Sequence, residues 1–196
     1  MTNKLIMLEE QVRNCTKCSL YKEMPGTKPV CGIGRVDTKI DIMFIGEALG
    51  EDEALLEQPF VGMCGKFLDK MLSRASLDRR ELYITNTVKC RPTKNNGKAN
   101  RPPSDSEILA CKGWLWKELQ IVKPKAIVTL GKVPTGTLLS KKTFSLGEMV
   151  GRGYNPGWMH TVIFPCYHPS YIMVRAKNKE DEVVELFKHV KNFVRS

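Results

Sequence analysis

Four short apolar segments constrain this chain more than any other feature: Ile40–Ile45, Leu82–Thr85, Ala126–Leu130 and Val162–Pro165. Each is rich in Ile and Val, too short for a helix of ordinary length, and bounded by turn residues, which is the pattern of buried strands. Helical patterns lie between them. Lys66–Ser73 places Phe67, Leu68, Met71 and Leu72 on one face. Ser104 is positioned to cap a helix over Asp105–Leu119, with Glu107 at the capping-box position. A last helix, Glu180–Val194, carries Val183, Leu186, Phe187, Val190 and Val194 on one stripe. Strands alternating with helices predict an α/β protein: a three-layer α/β/α arrangement around a central, mostly parallel four-stranded sheet. With 196 residues, 42% of them hydrophobic, the chain is expected to form a single domain over 1–196. Two stretches read as loops, Met24–Lys39 and the polar, basic Arg91–Pro103.

In open α/β sheets, ligands bind just outside the carboxyl ends of the strands. The unusual residues of this chain fall there. Gly46, Glu47, Ala48, Leu49 and Gly50 follow the first segment. Asn86 follows the second, Gly131 and Lys132 the third, and His168, Pro169 and Ser170 the fourth. One carboxylate, one amide, one basic group and one imidazole are therefore expected to converge.

The formal net charge is +10. A chain this basic suits a polyanionic partner or an anionic surface. No apolar run approaches the roughly 20 residues that span a bilayer, and the first residues have the composition of neither a signal nor a transit peptide. An intracellular location is expected. Seven cysteines make an odd count, which argues against a disulfide framework and for metal binding or reactive thiols. Cys15 and Cys18 form a Cys-x-x-Cys pair, and Cys90 and Cys111 stand singly on either side of the basic loop. Such a set closes a tetrathiolate site for iron–sulfur or for zinc, and spacing alone does not separate the two. A redox reading of the pair fits poorly, because it precedes the first strand. Cys31, Cys64 and Cys166 read as core or loop residues.

These segments together resemble the iron–sulfur-containing family 4 uracil-DNA glycosylases. Gly46-Glu47-Ala48-Leu49-Gly50-Glu51-Asp52-Glu53 with Pro59-Phe60-Val61-Gly62 is similar to that family's first motif. Thr85-Asn86-Thr87-Val88-Lys89-Cys90-Arg91-Pro92 is similar to its second, Lys123–Gly131 to its third strand and turn, and His168-Pro169-Ser170-Tyr171, with Arg175 beyond, to its last. The resemblance runs from about Cys15 to the final helix.

It implies monofunctional hydrolysis of the bond between uracil and deoxyribose in DNA, leaving an abasic site, by an enzyme expected to be a monomer. The nucleotide must first leave the base stack. Phe60 would stack on the flipped base, in a pocket floored by Gly46 and Ala48. Asn86 would read O4 and N3–H. His168 would stabilise the leaving uracil anion through O2, and Glu47 would stabilise the sugar cation and orient the attacking water. Ser170 and the backbone of Gly131 and Lys132 would hold phosphates. Ile172, Met173 and Arg175 would wedge into the minor groove. Cys15, Cys18, Cys90 and Cys111 would ligate a [4Fe–4S] cluster joining the N-terminal segment to the 90–111 loop. The chain departs from the family at Leu49, where proline is usual, at Ala54–Glu57, which predicts an altered pocket rim, and in a longer Arg91–Pro103 loop. That rim motivates an alternative, a glycosylase for another damaged base. A second alternative is a non-catalytic DNA-binding protein of the same fold. The Glu at position 47 separates the chain from family 5, which shares the cysteines.

Overall fold

The computed structural model describes residues 2–23, 26–35 and 38–196. Met24, Pro25, Val36 and Asp37, all in the expected Met24–Lys39 loop, lie outside the described residues. Strands β1 (Ile42–Gly46), β2 (Leu82–Asn86), β5 (Ala126–Leu130) and β6 (Val162–Cys166) match the four apolar segments to within two residues. They form one parallel sheet in the order β2-β1-β5-β6. The register pairs Gly46 with Asn86 and Leu130 with Cys166. The residues that follow these strands therefore emerge side by side.

The alternation of side chains along each strand divides the core into two. Phe44, Ile84, Val128 and Phe164 face helices α4 (Met63–Arg74), α7 (Pro169–Arg175) and α8 (Glu180–Arg195), where Leu68, Met71, Ile172, Phe187 and Val190 meet them. Met43, Ile45, Tyr83, Ile127 and Ile163 face the other way. There they pack on α1 (Thr2–Arg13), α5 (Asp105–Val122) and α6 (Lys132–Leu139), against Leu5, Leu115, Leu119 and Leu138. Strands buried on both faces need helices on both faces, so the architecture is the three-layer one that the apolar pattern predicts.

The expected helices are present with longer ends. The first begins at Met63, the second extends to Val122 and the third to Arg195. Ser104 and Glu107 form the reciprocal capping box at the start of α5. Two short helices, α2 (Leu20–Glu23) and α3 (Glu51–Leu56), had no sequence prediction, and neither did α1. In α1 the i, i+3, i+7 spacing of Leu5, Leu8 and Val12 supplies a narrow buried stripe among polar residues.

The basic Arg91–Pro103 stretch is not wholly a loop. It carries a two-stranded antiparallel hairpin, β3 (Thr93–Lys94) and β4 (Ala99–Asn100), turned by Asn95, Asn96 and Gly97, all at positive φ. Ion pairs fasten its base. The Arg101 guanidinium meets both oxygens of Glu107 at 2.7 and 2.8 Å and Glu23 at 2.9 Å. The other oxygen of Glu23 accepts from the Thr93 amide at 3.0 Å. Among the described residues, no helix is long and apolar enough to cross a membrane.

Candidate active site

A cavity of about 430 Å³ opens at the carboxyl ends of the strands. Its lining includes Glu47, Ala48, Phe60, Asn86, His168 and Ser170. Six residues expected to act together are therefore brought together by strand register and short connections.

Asn86 ends β2 and is only 3% exposed. Its side-chain Oδ1 is buried and accepts no hydrogen bond in the protein. Leaving a buried acceptor unmade costs about 1–3 kcal/mol, so this atom is built to meet a donor that enters the cavity. The space above it exists because position 46 is glycine: a Cβ there would overlap Asn86 Oδ1 and the ring of Phe60.

Phe60 is held in the left-handed region, at φ 56°, a conformation that costs a residue with a Cβ about 1–2 kcal/mol. The surroundings enforce it. Arg79 donates to the Pro59 and Phe60 carbonyls, each at 3.0 Å. Buried Glu53 accepts from the amides of Val61 and Gly62 at 3.0 and 2.8 Å. Gly65 leaves room for the Phe60 carbonyl. The ring is thereby fixed against the cavity.

His168 caps α7. Its Nδ1 accepts from the Ser170 amide at 3.2 Å and lies 2.7 Å from the Ser170 hydroxyl. An Nδ1 that accepts carries no proton, so the neutral ring bears its proton on Nε2. Burial lowers the imidazole pKa from its ordinary 6.5, which keeps the ring neutral at pH 7. Burial raises the carboxyl of Glu47 above the usual carboxylate range. A neutral N–H donor and a partly desolvated acid thus line the same cavity.

Other expected positions lie outside it. Gly131 takes φ 104° and packs under His168, but its amide donates to the Cys166 carbonyl at 2.9 Å. It is therefore not free to hold a phosphate, which corrects the expected role. Lys132 is exposed beside the ring of Phe144. The expected wedge also needs correction at Ile172, which is 1% exposed and packed in the core beneath α7. Tyr171 and Val174 occupy the outer face of that helix, Val174 at 77% exposure. Met173 is half-buried and Arg175 exposed. The expectation of an altered rim at Ala54–Glu57 is corrected too, since none of those four residues lines the cavity. Ala54 packs with Leu49 and Val30, and Leu55 and Leu56 point to solvent. Glu57 ends α3 in the left-handed conformation that favours glycine and pairs with Arg13.

The cavity also takes residues that sequence reasoning missed. Glu53 lies in an acidic run that reads as an ordinary first helical turn. Cys64 was read as a core or loop thiol, yet it lines the cavity beside Ser170. Asn100, Arg101 and Pro102 form one wall. Only the fold of the hairpin brings them there.

Cys15, Cys18, Cys90 and Cys111 line a second, smaller cavity between the N-terminal segment, the end of β2 and α5. None is in a disulfide. The indole N–H of Trp114 donates to Cys15 Sγ at 3.1 Å, and the Lys89 amide donates to Cys111 Sγ at 3.2 Å. Burial raises the thiols of Cys18, Cys90 and Cys111, the last to about 11, and the neighbouring cysteines push all three further up. Such thiols ionise only when cations share the cavity. Among the described residues, no group of three or more His, Cys, Asp or Glu side chains is arranged to hold a single metal ion. A lone tetrahedral zinc would need its sulfurs about 3.8 Å apart, from a Zn–S bond of about 2.3 Å.

Comparison with known proteins agrees with this geometry. Residues 33–191 match the model of the uracil DNA glycosylase superfamily. The chain is 38% identical to the Type-4 uracil-DNA glycosylase of Saccharolobus solfataricus over 86% of its own length and 76% of that protein's. It is 33% identical to the Type-4 uracil-DNA glycosylase of Thermotoga maritima over 96% of its length and 94% of that protein's. Among solved structures, SMUG2 from Pedobacter heparinus shares the fold. The TM-score is 0.55 at 14% identity, covering 79% of this chain and 75% of that one.

The geometry of His168 makes a prediction of its own. In a ¹⁵N NMR titration its ring will deprotonate below pH 6.5 and carry its neutral-state proton on Nε2. A midpoint above 6.5, or a proton on Nδ1, would contradict the site described.

Proposed function

The chain belongs to the uracil-DNA glycosylase superfamily, and from that premise we propose that it removes uracil from DNA by hydrolysis, through the cavity formed by Glu47, Phe60, Asn86 and His168. The activity itself agrees with the Type-4 enzymes to which the chain is similar over most of its length. The observation that carries the residue assignment is the buried, unpartnered Oδ1 of Asn86. Uracil offers N3–H to that acceptor and O4 to the amide Nδ2. Cytosine presents the opposite pattern at both atoms, which would leave the buried amide mispaired.

The remaining groups fit the same base. The fixed ring of Phe60 supplies an apolar face for the flipped pyrimidine. The Nε2–H of His168 donates to O2 as negative charge grows on the leaving base. A neutral donor stabilises that anion through the hydrogen bond, without handing its proton over. The Glu47 carboxylate, when ionised, stabilises the positive charge on the sugar and orients water toward C1′. The uracil anion is a sufficient leaving group, so no lysine adduct forms and no strand cleavage follows. Ala54–Glu57 do not line the cavity, so the feature that suggested a different base does not act through its wall. The convergence of the reacting groups likewise favours an enzyme over a DNA-binding protein without activity.

Single- or double-stranded DNA containing uracil would lie across this face. Tyr171, Met173, Val174 and Arg175 on the outer side of α7 are placed to enter the gap left by the nucleotide. Ser170 and Lys132 are placed to meet flanking phosphates, as are Lys94 and Lys98 on the hairpin. The enzyme acts as a monomer and within the cell.

The four cysteines suit a [4Fe–4S] cluster, in which each thiolate takes a different iron. Four cysteine sulfurs around one cavity, with N–H donors directed at two of them, support a thiolate-ligated centre there. When bound it would supply a covalent cross-link through the Cys15, Cys18, Cys90 and Cys111 thiolates, with no redox role in a hydrolysis. The chain's own contribution is to tie the segment before β1 and the hairpin to the sheet.

An oligonucleotide bearing one uracil will be cut only after alkali treatment. Glu47→Gln and His168→Asn will each lower the single-turnover rate by about 10² to 10³-fold. The wild-type rate will fall on the acid side as Glu47 takes up a proton, with a midpoint above the ordinary glutamate range, and Glu47→Gln will lack that limb. Unchanged rates in both variants would refute the assignment. The purified protein will be brown and contain iron and inorganic sulfide in equal amounts; a colourless protein with one zinc would refute the cluster.

A further inference from the structure

The segment after β2 holds a buried lysine. Lys89 is 1% exposed and its partner Glu118, on α5, is 0% exposed. The ammonium has three protons and three acceptors. These are Glu118 Oε2 at 2.5 Å, Thr85 Oγ1 at 2.7 Å and the backbone carbonyl of Asn86 at 2.7 Å. The same residue's amide donates to Cys111 Sγ at 3.2 Å. Lys89 therefore touches the residue proposed to read the base with its side chain, and a cysteine of the second cavity with its backbone.

Why the Asn86 carbonyl needs such a partner follows from the sheet. β2 is an edge strand, and its outer side meets no further strand of the sheet, only a single bridge from Ile33. The Thr87 amide bonds inward to the Gly46 carbonyl at 2.8 Å. Ile84, of the same parity as Asn86, exchanges both its backbone bonds outward with Ile33, at 2.8 and 2.9 Å. Asn86 faces that same outer side, beyond the reach of Ile33, and the Lys89 ammonium closes the position. Since Asn86 Oδ1 has no hydrogen bond in the protein, the attitude of its amide depends on how its backbone is held.

A buried ion pair is weak evidence for stability, because desolvation offsets most of the attraction and apolar replacements are often neutral. The position of this pair gives it another use. We propose that Lys89, neutralised by Glu118, is a positioning residue for base recognition: it fixes the backbone of Asn86 so that the side-chain amide is set before uracil arrives. The inference rests on the proposed uracil reading of the site. Val88 donates to the Glu47 carbonyl at 3.0 Å, so the same anchored segment also steadies the backbone of the proposed water-orienting acid.

Lys89→Met alone strands the Glu118 charge and is expected to destabilise the fold. The informative protein is Lys89→Met/Glu118→Gln, which removes both charges and leaves an acceptor for the Gly32 amide. Three quantities decide the matter: the inhibition constant of free uracil, the affinity for DNA carrying an abasic-site analogue, and thermal melting with the visible absorbance. The double variant is expected to melt and absorb like the wild type and to bind abasic DNA equally well. Free uracil should inhibit it at least tenfold more weakly. A folded double variant that binds uracil like the wild type would overturn the proposal, as would a double variant that fails to fold, since the pair would then be a stability element. If the wild type itself neither binds nor releases uracil, the uracil reading fails first.

Discussion

Removing the Glu118 carboxylate from water costs several kcal/mol unless donors replace the lost hydration. The chain supplies them from five residues. Lys89 and Thr85 serve one oxygen; Gly32, Tyr83, Cys31 and again Thr85 serve the other, at 2.7 to 3.3 Å. Burial and the carboxylate push the Tyr83 phenol well above its ordinary range and the Cys31 thiol up to about 12. Both therefore stay protonated and donate at neutral pH, and Lys89 alone carries the balancing charge. This cluster clamps α5 to the edge strand and to the segment that precedes β1. The position of α5 in turn sets Cys111, Trp114 and the Glu107 carboxylate that fastens the hairpin.

From that clamp the two cavities share one frame. The chain leaves β2 at Asn86, is zipped to the Gly46–Leu49 segment by the amides of Thr87 and Val88, and reaches Cys90. The proposed base-reading, water-orienting and thiolate-ligating residues thus fall within Asn86–Cys90 and the segment that follows β1. The proposed cluster fits this frame as a cross-link. It would lie where three segments meet, the N-terminal one, the chain leaving β2 and α5, beside the apolar cluster of Leu8, Val12, Leu20, Val88 and Trp114.

The parallel sheet was legible because strands buried on both faces spell continuous apolar runs, and the convergence of Glu47, Asn86 and His168 followed from the strand-end rule. Other parts were not legible for definite reasons. The hairpin wall depends on the ion pair of Arg101 with Glu23, 78 residues away, and no local pattern announces it. The outward turn of Tyr171 and Val174, and the inward turn of Ile172, follow from α7 beginning at Pro169 behind the His168 cap; naming Ile172, Met173 and Arg175 as wedge side chains made no use of this periodicity. Residues 54–57 looked significant as departures from a family pattern, yet α3 directs them away from the cavity. Glu53, one residue before them, proved to be the structural member of the run because its carboxylate organises the turn after Phe60.

The account rests on one unmade hydrogen bond, the one that Asn86 Oδ1 awaits. It is tested most directly by comparing free uracil with 3-methyluracil as inhibitors of the wild-type enzyme on a uracil-containing oligonucleotide. The account predicts competitive inhibition by uracil and none by the methylated base at the same concentration, because N3 then has no proton to donate. Equal inhibition by the two would mean that Asn86 does not read N3–H, and the assignment of the cavity would fail with it.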